Sequence, residues 1–206
     1  MKTAPPMTRP RRDGGPSLAR RRTLMAAGAA FAPLATGRAF SQSGVGEDLD
    51  VPYVTTPQSV VDAMLDVARI GPTDTLLDLG SGDGRIVITA ARRFGIRATG
   101  IEIDPRLAER ARANAAAAGV ADKVRFVEQD LFATDLSAAS VITMYLLPAV
   151  NLKLRPALQK LKPGTRVVSH DWDMGEWAAD RTVTVVAPDK NTGLAKSSRV
   201  MLWTVR

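Results

Sequence analysis

Asp78, Asp83, Glu102, Asp104 and Asp130 stand at or just beyond the ends of short apolar runs, with glycines between the first two. Ionised carboxylates only accept hydrogen bonds, so a row of them suits a ligand that brings donors and positive charge. The densest stretch is residues 76–85, Leu-Leu-Asp-Leu-Gly-Ser-Gly-Asp-Gly-Arg. An apolar strand there ends in an acid. Gly80, Gly82 and Gly84 then let the chain turn sharply, press its backbone against a ligand and offer its N–H groups. About 20 residues on, Gly100-Ile101-Glu102-Ile103-Asp104 ends a second apolar run in another acid. An acid at that interval can accept hydrogen bonds from both ribose hydroxyls of a nucleoside. The pattern predicts a nucleoside-containing cofactor.

The loop's register narrows the choice. The dinucleotide fingerprint is G-x-G-x-x-G, whose third glycine allows close helix–strand packing. Here Gly80-Ser81-Gly82-Asp83-Gly84 is followed by Arg85, where that third glycine would fall. Asp78 and Asp83 flank the loop, and two carboxylates repel a pyrophosphate while attracting a cationic amine and sulfonium. S-adenosylmethionine is therefore expected rather than NAD. An NAD-dependent oxidoreductase is a distant alternative.

The run Asp78-Leu79-Gly80-Ser81-Gly82-Asp83-Gly84-Arg85-Ile86-Val87-Ile88 resembles motif I of the class I, seven-strand, S-adenosylmethionine-dependent methyltransferases. With Pro52-Tyr53-Val54 upstream and Gly100-Ile101-Glu102 downstream, it is similar to a narrower group. That group comprises the mitochondrial lysine methyltransferases acting on the ATP synthase c subunit and the adenine nucleotide translocase, and their bacterial relatives. The resemblance spans roughly residues 50–206. It implies an α/β, Rossmann-like doubly wound sheet in the order 3-2-1-4-5-7-6, closed by a C-terminal antiparallel hairpin. It implies S-adenosylmethionine as cofactor and a protein lysine as acceptor, with a small-molecule acceptor or a non-catalytic binding domain as alternatives. By resemblance, Asp78 and Gly80, Ser81 and Gly82 hold the methionine end, with Asp83 beside them. Glu102 takes the ribose, and Asp130 with Leu131 takes the adenine. The segment carrying Tyr53, Thr55 and Thr56 folds over the cofactor as a lid, or is an ordinary turn with a capping threonine. Residues 143–148, Thr-Met-Tyr-Leu-Leu-Pro, lack the Asn-Pro-Pro-Tyr motif typical of the amide and DNA-adenine branches.

These residues need elements to carry them. Thr56-Pro57 reads as an N-cap with proline at the first helical position, and Val60, Val61, Met64, Leu65 and Ala68 follow at helical spacing until Gly71-Pro72. Strands are predicted over 75–79, 97–103, 124–130, 140–146 and 166–170. Helices are predicted over 84–94, from Asp104-Pro105 to Gly119, and between 152 and 161. Two final strand-like runs, 182–187 and 199–205, are joined without a helix and read as a hairpin. Alternating strands and helices imply a parallel sheet with its ligand site beyond the carboxyl ends.

At that edge, 169–177 reads Ser-His-Asp-Trp-Asp-Met-Gly-Glu-Trp. Two indoles and three carboxylates there either receive a cationic amine or pack the rim with the acids solvated. Tyr145, Asp171 and Trp172 are the candidates for the acceptor side, the oxygens of Tyr145 or Asp171 helping a lysine lose its proton. His170 is expected as a hydrogen-bonded rim residue rather than a base. With no cysteine and one histidine, a thiolate metal site is excluded and no metal is expected.

The formal charge of +7 does not mark a nucleic-acid binder. Eight of the 28 basic residues, but one of the 21 acidic ones, precede Gln42, so the remainder is formally neutral. Residues 1–41 carry Arg20-Arg21-Arg22-Thr23-Leu24-Met25, an alanine-rich stretch and Ala39-Phe40-Ser41-Gln42. That predicts a twin-arginine export signal, with a disordered basic tail as alternative, and a single domain over 42–206. A periplasmic or membrane-associated location follows if the leader functions, and a cytoplasmic one if it does not.

Overall fold

The computed structural model describes residues 53–193 and 195–206, so the leader expected over 1–41 lies outside the described residues. Helix α1 spans Gln58–Val67, followed by β1 Thr75–Leu79, α2 Arg85–Phe94, β2 Arg97–Glu102 and α3 Pro105–Ala117. Then come β3 Val124–Glu128, a 3-10 turn Leu131–Ala133, β4 Val141–Met144, α4 Pro148–Leu158 and β5 Arg166–His170. The antiparallel pair β6 Arg181–Val186 and β7 Ser197–Thr204 closes the chain. One seven-stranded sheet results, in the order β3-β2-β1-β4-β5-β7-β6. β3, β2, β1, β4 and β5 pair in parallel, and β7 is antiparallel to both its neighbours.

Both faces of the sheet are covered, so its central strands are apolar almost throughout rather than alternating. Leu76, Ala98, Val141, Val168 and Val200 point into the core shared with α1, α2 and α3. Their neighbours Leu77, Ile142, Val167, Met201 and Trp203 point the other way, into the core shared with α4. The parallel strands thereby bring the ends of β1, β2, β4 and β5 to one edge.

Several boundaries differ from expectation for local reasons. Thr56 does not cap α1; Pro57 holds the N-cap position, and no side chain supplies a capping hydrogen bond. Helix α4 begins at Pro148, a full turn before the expected 152, because Leu147-Pro148 is itself a proline-at-first-position start. The third strand stops at Glu128, since Asp130 turns to accept a hydrogen bond from Phe132 N and caps the 3-10 turn.

The close packing that the dinucleotide pattern assigns to its third glycine falls here on Gly84. A Cβ at Gly84 would lie 2.6 Å from Phe126 Cζ and 2.9 Å from Ala111 Cβ, and its φ is +81°. Gly84→Ala should therefore cost about 2–4 kcal/mol, from backbone strain and overpacking together. Urea unfolding checks this as a lower midpoint at unchanged slope; an unaltered midpoint would mean that α2 seats on the sheet without needing this glycine.

Candidate active site

The loop after β1 is held from within. Gly80 N and Ser81 N both donate to the carbonyl of Ile101, each at 2.9 Å, and Gly84 N donates to Ser81 O. Gly82 N donates to Glu102 Oε2 at 2.8 Å, while Ile103 N and Asp104 N donate to Glu102 Oε1 at 2.9 and 3.0 Å. Four loop amides are thus engaged inside the protein, contrary to the expectation that the loop offers its N–H groups outward. A pyrophosphate needs such donors. A ligand that brings its own does not.

The charges also differ from the simple count of acids. Asp83 does not flank the loop as a bare carboxylate. Arg85 grips it through Nε at 2.9 Å and Nη2 at 2.6 Å, and spends Nη1 on the carbonyl of Thr56 at 2.8 Å. The repulsion of a pyrophosphate therefore cannot rest on Asp83; what disfavours one is the shortage of free amides. Asp78 remains, almost wholly buried, with Thr143 Oγ1 donating to it at 2.7 Å. Burial pushes its pKa up to about 8, overriding the Thr143 hydrogen bond, with Glu102 and Asp83 adding to the rise.

Tyr53, Thr56, Asp78, Gly80, Ser81, Gly82, Asp83, Glu102, Asp130 and Leu131 all border one cavity of about 490 Å³ at this edge. That volume lies in the range of small-molecule sites. Tyr53 lies over the loop so closely that a Cβ on Gly82 would sit 2.6 Å from its ring. Thr56 is buried and reaches His170 rather than α1. Sequence reasoning missed Leu107, Phe132 and Lys153, which border the same cavity. Phe132 and Lys153 come together as a cation–π pair, the ammonium 4.1 Å from the ring centre. No motif announces them, because they meet across the fold between the 3-10 turn and α4.

The cavity can be tested against an adenosyl ligand with a cationic amino acid end. Asp78 is a buried carboxyl that such an amine would ionise, and Ser81 Oγ is buried without a hydrogen-bond partner among the described residues. Three amides already take most of the Glu102 carboxylate, which leaves room on Oε2 for about one further donor such as a ribose hydroxyl. The apolar Leu131, Phe132 and Ile103 border the space a nucleoside would fill. The residues fit such a group.

A second cavity, of about 430 Å³, adjoins the first. Val54, Tyr145 and Leu146 border both. Its far side holds Asp171, Trp172, Lys190 and Arg199. The rim is not the convergence of two indoles and three acids that the sequence allowed. Trp177 packs by Trp203, whose Nε1 donates to its carbonyl at 2.6 Å, and the Asp173 carboxylate accepts from Gly175 N. Nor is the Asp171 carboxylate free: Lys190 Nζ donates to it at 2.7 Å and Arg199 N at 2.8 Å. His170 is hydrogen-bonded as expected, but it is buried beneath the rim rather than on it. Among the described residues no group of three His, Asp or Glu side chains could hold a metal ion.

A seven-stranded sheet of this order, with an acid-lined cavity where β1, β2 and β4 end, is the architecture of the S-adenosylmethionine-dependent methyltransferases, and its similarities to known proteins make this chain one of them. The family model described as the ANTKMT methyltransferase domain matches residues 78–181, and the chain belongs to that family. It is 45% identical over 137 residues to a protein-lysine N-methyltransferase of Saccharolobus islandicus, spanning 66% of this chain and 85% of that one. To the adenine nucleotide translocase lysine N-methyltransferase of Mus musculus it is 38% identical over 131 residues, 63% of this chain and 56% of that one. A crystal structure of an RNA methyltransferase from Salinibacter ruber with S-adenosyl-L-homocysteine is similar at 57% identity and a TM-score of 0.66, over 74% of this chain and 94% of that one. S-adenosylmethionine is the cofactor.

Asp78 gives this site a proton linkage. The raised pKa keeps Asp78 neutral in the ligand-free protein below about pH 8, and a cationic amine demands the carboxylate. Binding S-adenosylmethionine at pH 7 should release close to one proton. Affinity should rise up to about tenfold per pH unit between pH 5 and 7, and level off toward pH 8 as free Asp78 ionises and the ligand's amine loses its own proton. Calorimetry in buffers of different ionisation enthalpy reads the proton directly. Asp78→Asn should abolish the release, and a wild type that releases none would separate Asp78 from the amine.

Proposed function

We propose that this methyltransferase acts on the side-chain amine of a lysine in a protein. The observation that carries this is the second cavity, sharing Val54, Tyr145 and Leu146 with the cofactor cavity and open to solvent past Trp172, which is 41% exposed. An extended side chain entering by Trp172 would run along apolar and aromatic walls toward the shared boundary. The lysine enzymes from Saccharolobus islandicus and Mus musculus support the same acceptor.

In this proposal Asp78 and Ser81 hold the amino acid end of the cofactor, Glu102 the ribose, and Asp130, Leu131 and Phe132 the adenine. When bound, S-adenosylmethionine supplies an electrophilic methyl group on a good leaving group, so the protein's task is mainly alignment. The acceptor amine must be neutral to react. Desolvation by Val54, Leu146, Leu147 and Trp172 favours that form. So does the local charge, since Lys190 and Arg199 outnumber Asp171 by one. Asp171, already paired with Lys190, does not serve as the acceptor's counter-ion or base, and the proton leaves to water.

RNA is the second possibility, raised by the description of the Salinibacter ruber relative. The formally neutral composition after residue 41 disfavours it. For location we propose a membrane-associated domain tethered by the leader, to be checked by fractionation against soluble and periplasmic pools.

The test is transfer of a tritiated methyl group from S-adenosylmethionine to total host protein and, separately, to total RNA. Label recovered as methyl-lysine after acid hydrolysis supports the proposal; label confined to RNA overturns it. Trp172→Ala should lower kcat/KM for the protein acceptor about 10- to 100-fold while the Kd for S-adenosylhomocysteine stays unchanged. A parallel loss of cofactor affinity would place Trp172 in the first cavity instead.

A further inference from the structure

His170 ends β5 with its side chain buried, and it is the chain's single histidine. Three separate parts of the site meet on its ring. Nδ1 is 3.3 Å from Thr56 Oγ1, in the segment that borders the cofactor cavity. Nε2 is 2.8 Å from Ser198 Oγ on β7, beside Arg199 of the second cavity. The ring face stacks on Tyr145, with centroids 3.8 Å apart and planes 29° from parallel. Tyr145 borders both cavities.

The environment keeps the imidazole from acting as a base. Both nitrogens are engaged, and one face is covered. The charged groups facing it are Asp171, with Oδ2 3.4 Å from Nε2, and Lys190, which pairs with that same carboxylate at 2.7 Å. Tyr145, Thr56 and Ser198 add no charge. Burial disfavours the imidazolium, Asp171 opposes this in part and Lys190 adds to it, so the pKa falls to about 4.

The Thr56 segment is fastened at two points. Arg85 holds its carbonyl, and His170 holds its side chain. Arg85 links it to the glycine loop alone, whereas His170 links it to the partition between the cavities. We propose that His170 is a neutral positioning residue that couples the Thr56 segment over the cofactor to the Tyr145 partition of the second cavity, so that filling the first cavity sets the geometry of the second. This rests on the cofactor occupying the first cavity.

A lone histidine makes the test direct. The untagged full chain, labelled with ¹⁵N in the imidazole, should show one neutral tautomer that does not titrate between pH 8 and 5. Saturating S-adenosylhomocysteine should shift those resonances without protonating the ring. A midpoint near the ordinary 6.5, or resonances indifferent to the ligand, would overturn the coupling.

Variants divide the two contacts. His170→Phe keeps the stack and loses the bonds to both Thr56 and Ser198, so Thr56→Val is read beside it to isolate the first. His170→Asn places a polar group near the position of Nδ1 and loses the stack. S-adenosylhomocysteine affinity should fall about five- to tenfold in His170→Phe and in Thr56→Val, the worth of one neutral hydrogen bond. In His170→Asn it should stay within about twofold, while the rate of methyl transfer to total protein at saturating cofactor drops. Equal affinities in all three variants would overturn the coupling and leave the methyltransferase assignment standing. Failure of the wild type to bind S-adenosylhomocysteine at all would overturn both.

Discussion

The cofactor cavity depends on one carboxylate held by three backbone amides. Glu102 ends β2, and its two oxygens accept from Gly82 across the sheet and from Ile103 and Asp104 along its own chain. A buried carboxylate is tolerable only with its lone pairs occupied. Here that satisfaction also locks the glycine loop against the neighbouring strand. With the carbonyl of Ile101, which holds Gly80 and Ser81, Glu102 sets the shape of the loop that borders the cavity.

Around that centre the protein relies on fixed internal pairs more than on charges open to solvent. Asp83 is bound by Arg85, Asp171 by Lys190, and Asp78 is neutral until a cation arrives. The two cavities therefore differ in kind. The first holds a latent negative charge in Asp78. The second carries a slight positive excess along apolar walls. A cationic cofactor and a neutral amine are the partners those fields favour.

Much of this was legible in the sequence because it rests on short-range order. The apolar runs at 75–79 and 97–103 mark strands, the second of which ends one residue early at Glu102. The glycine spacing marks the turn, and the interval from Asp78 to Glu102 marks a nucleoside site. Asp104-Pro105 announced α3 for the same reason, and Asp104 does cap it. What stayed hidden depends on contacts between distant segments. Thr56 looked like a cap because threonine before proline usually is one, yet its hydroxyl goes to a partner 114 residues away. Arg85 looked only like a missing glycine, although its guanidinium spans Asp83 and the Thr56 carbonyl. Phe132 and Lys153 carry no spacing signal, and the pairing of Asp171 with Lys190 joins the end of β5 to the β6–β7 connection, which no local pattern dictates.

The three tryptophans sit in three different solvents. Trp203 is wholly enclosed, Trp177 is partly covered against it, and Trp172 stands open at the lip of the second cavity. An indole's emission moves to longer wavelength as its surroundings become more polar. The red edge of this protein's fluorescence is therefore dominated by Trp172, and a collisional quencher added to the buffer reaches that ring first. The chain carries a built-in optical probe of its acceptor doorway, readable without a label.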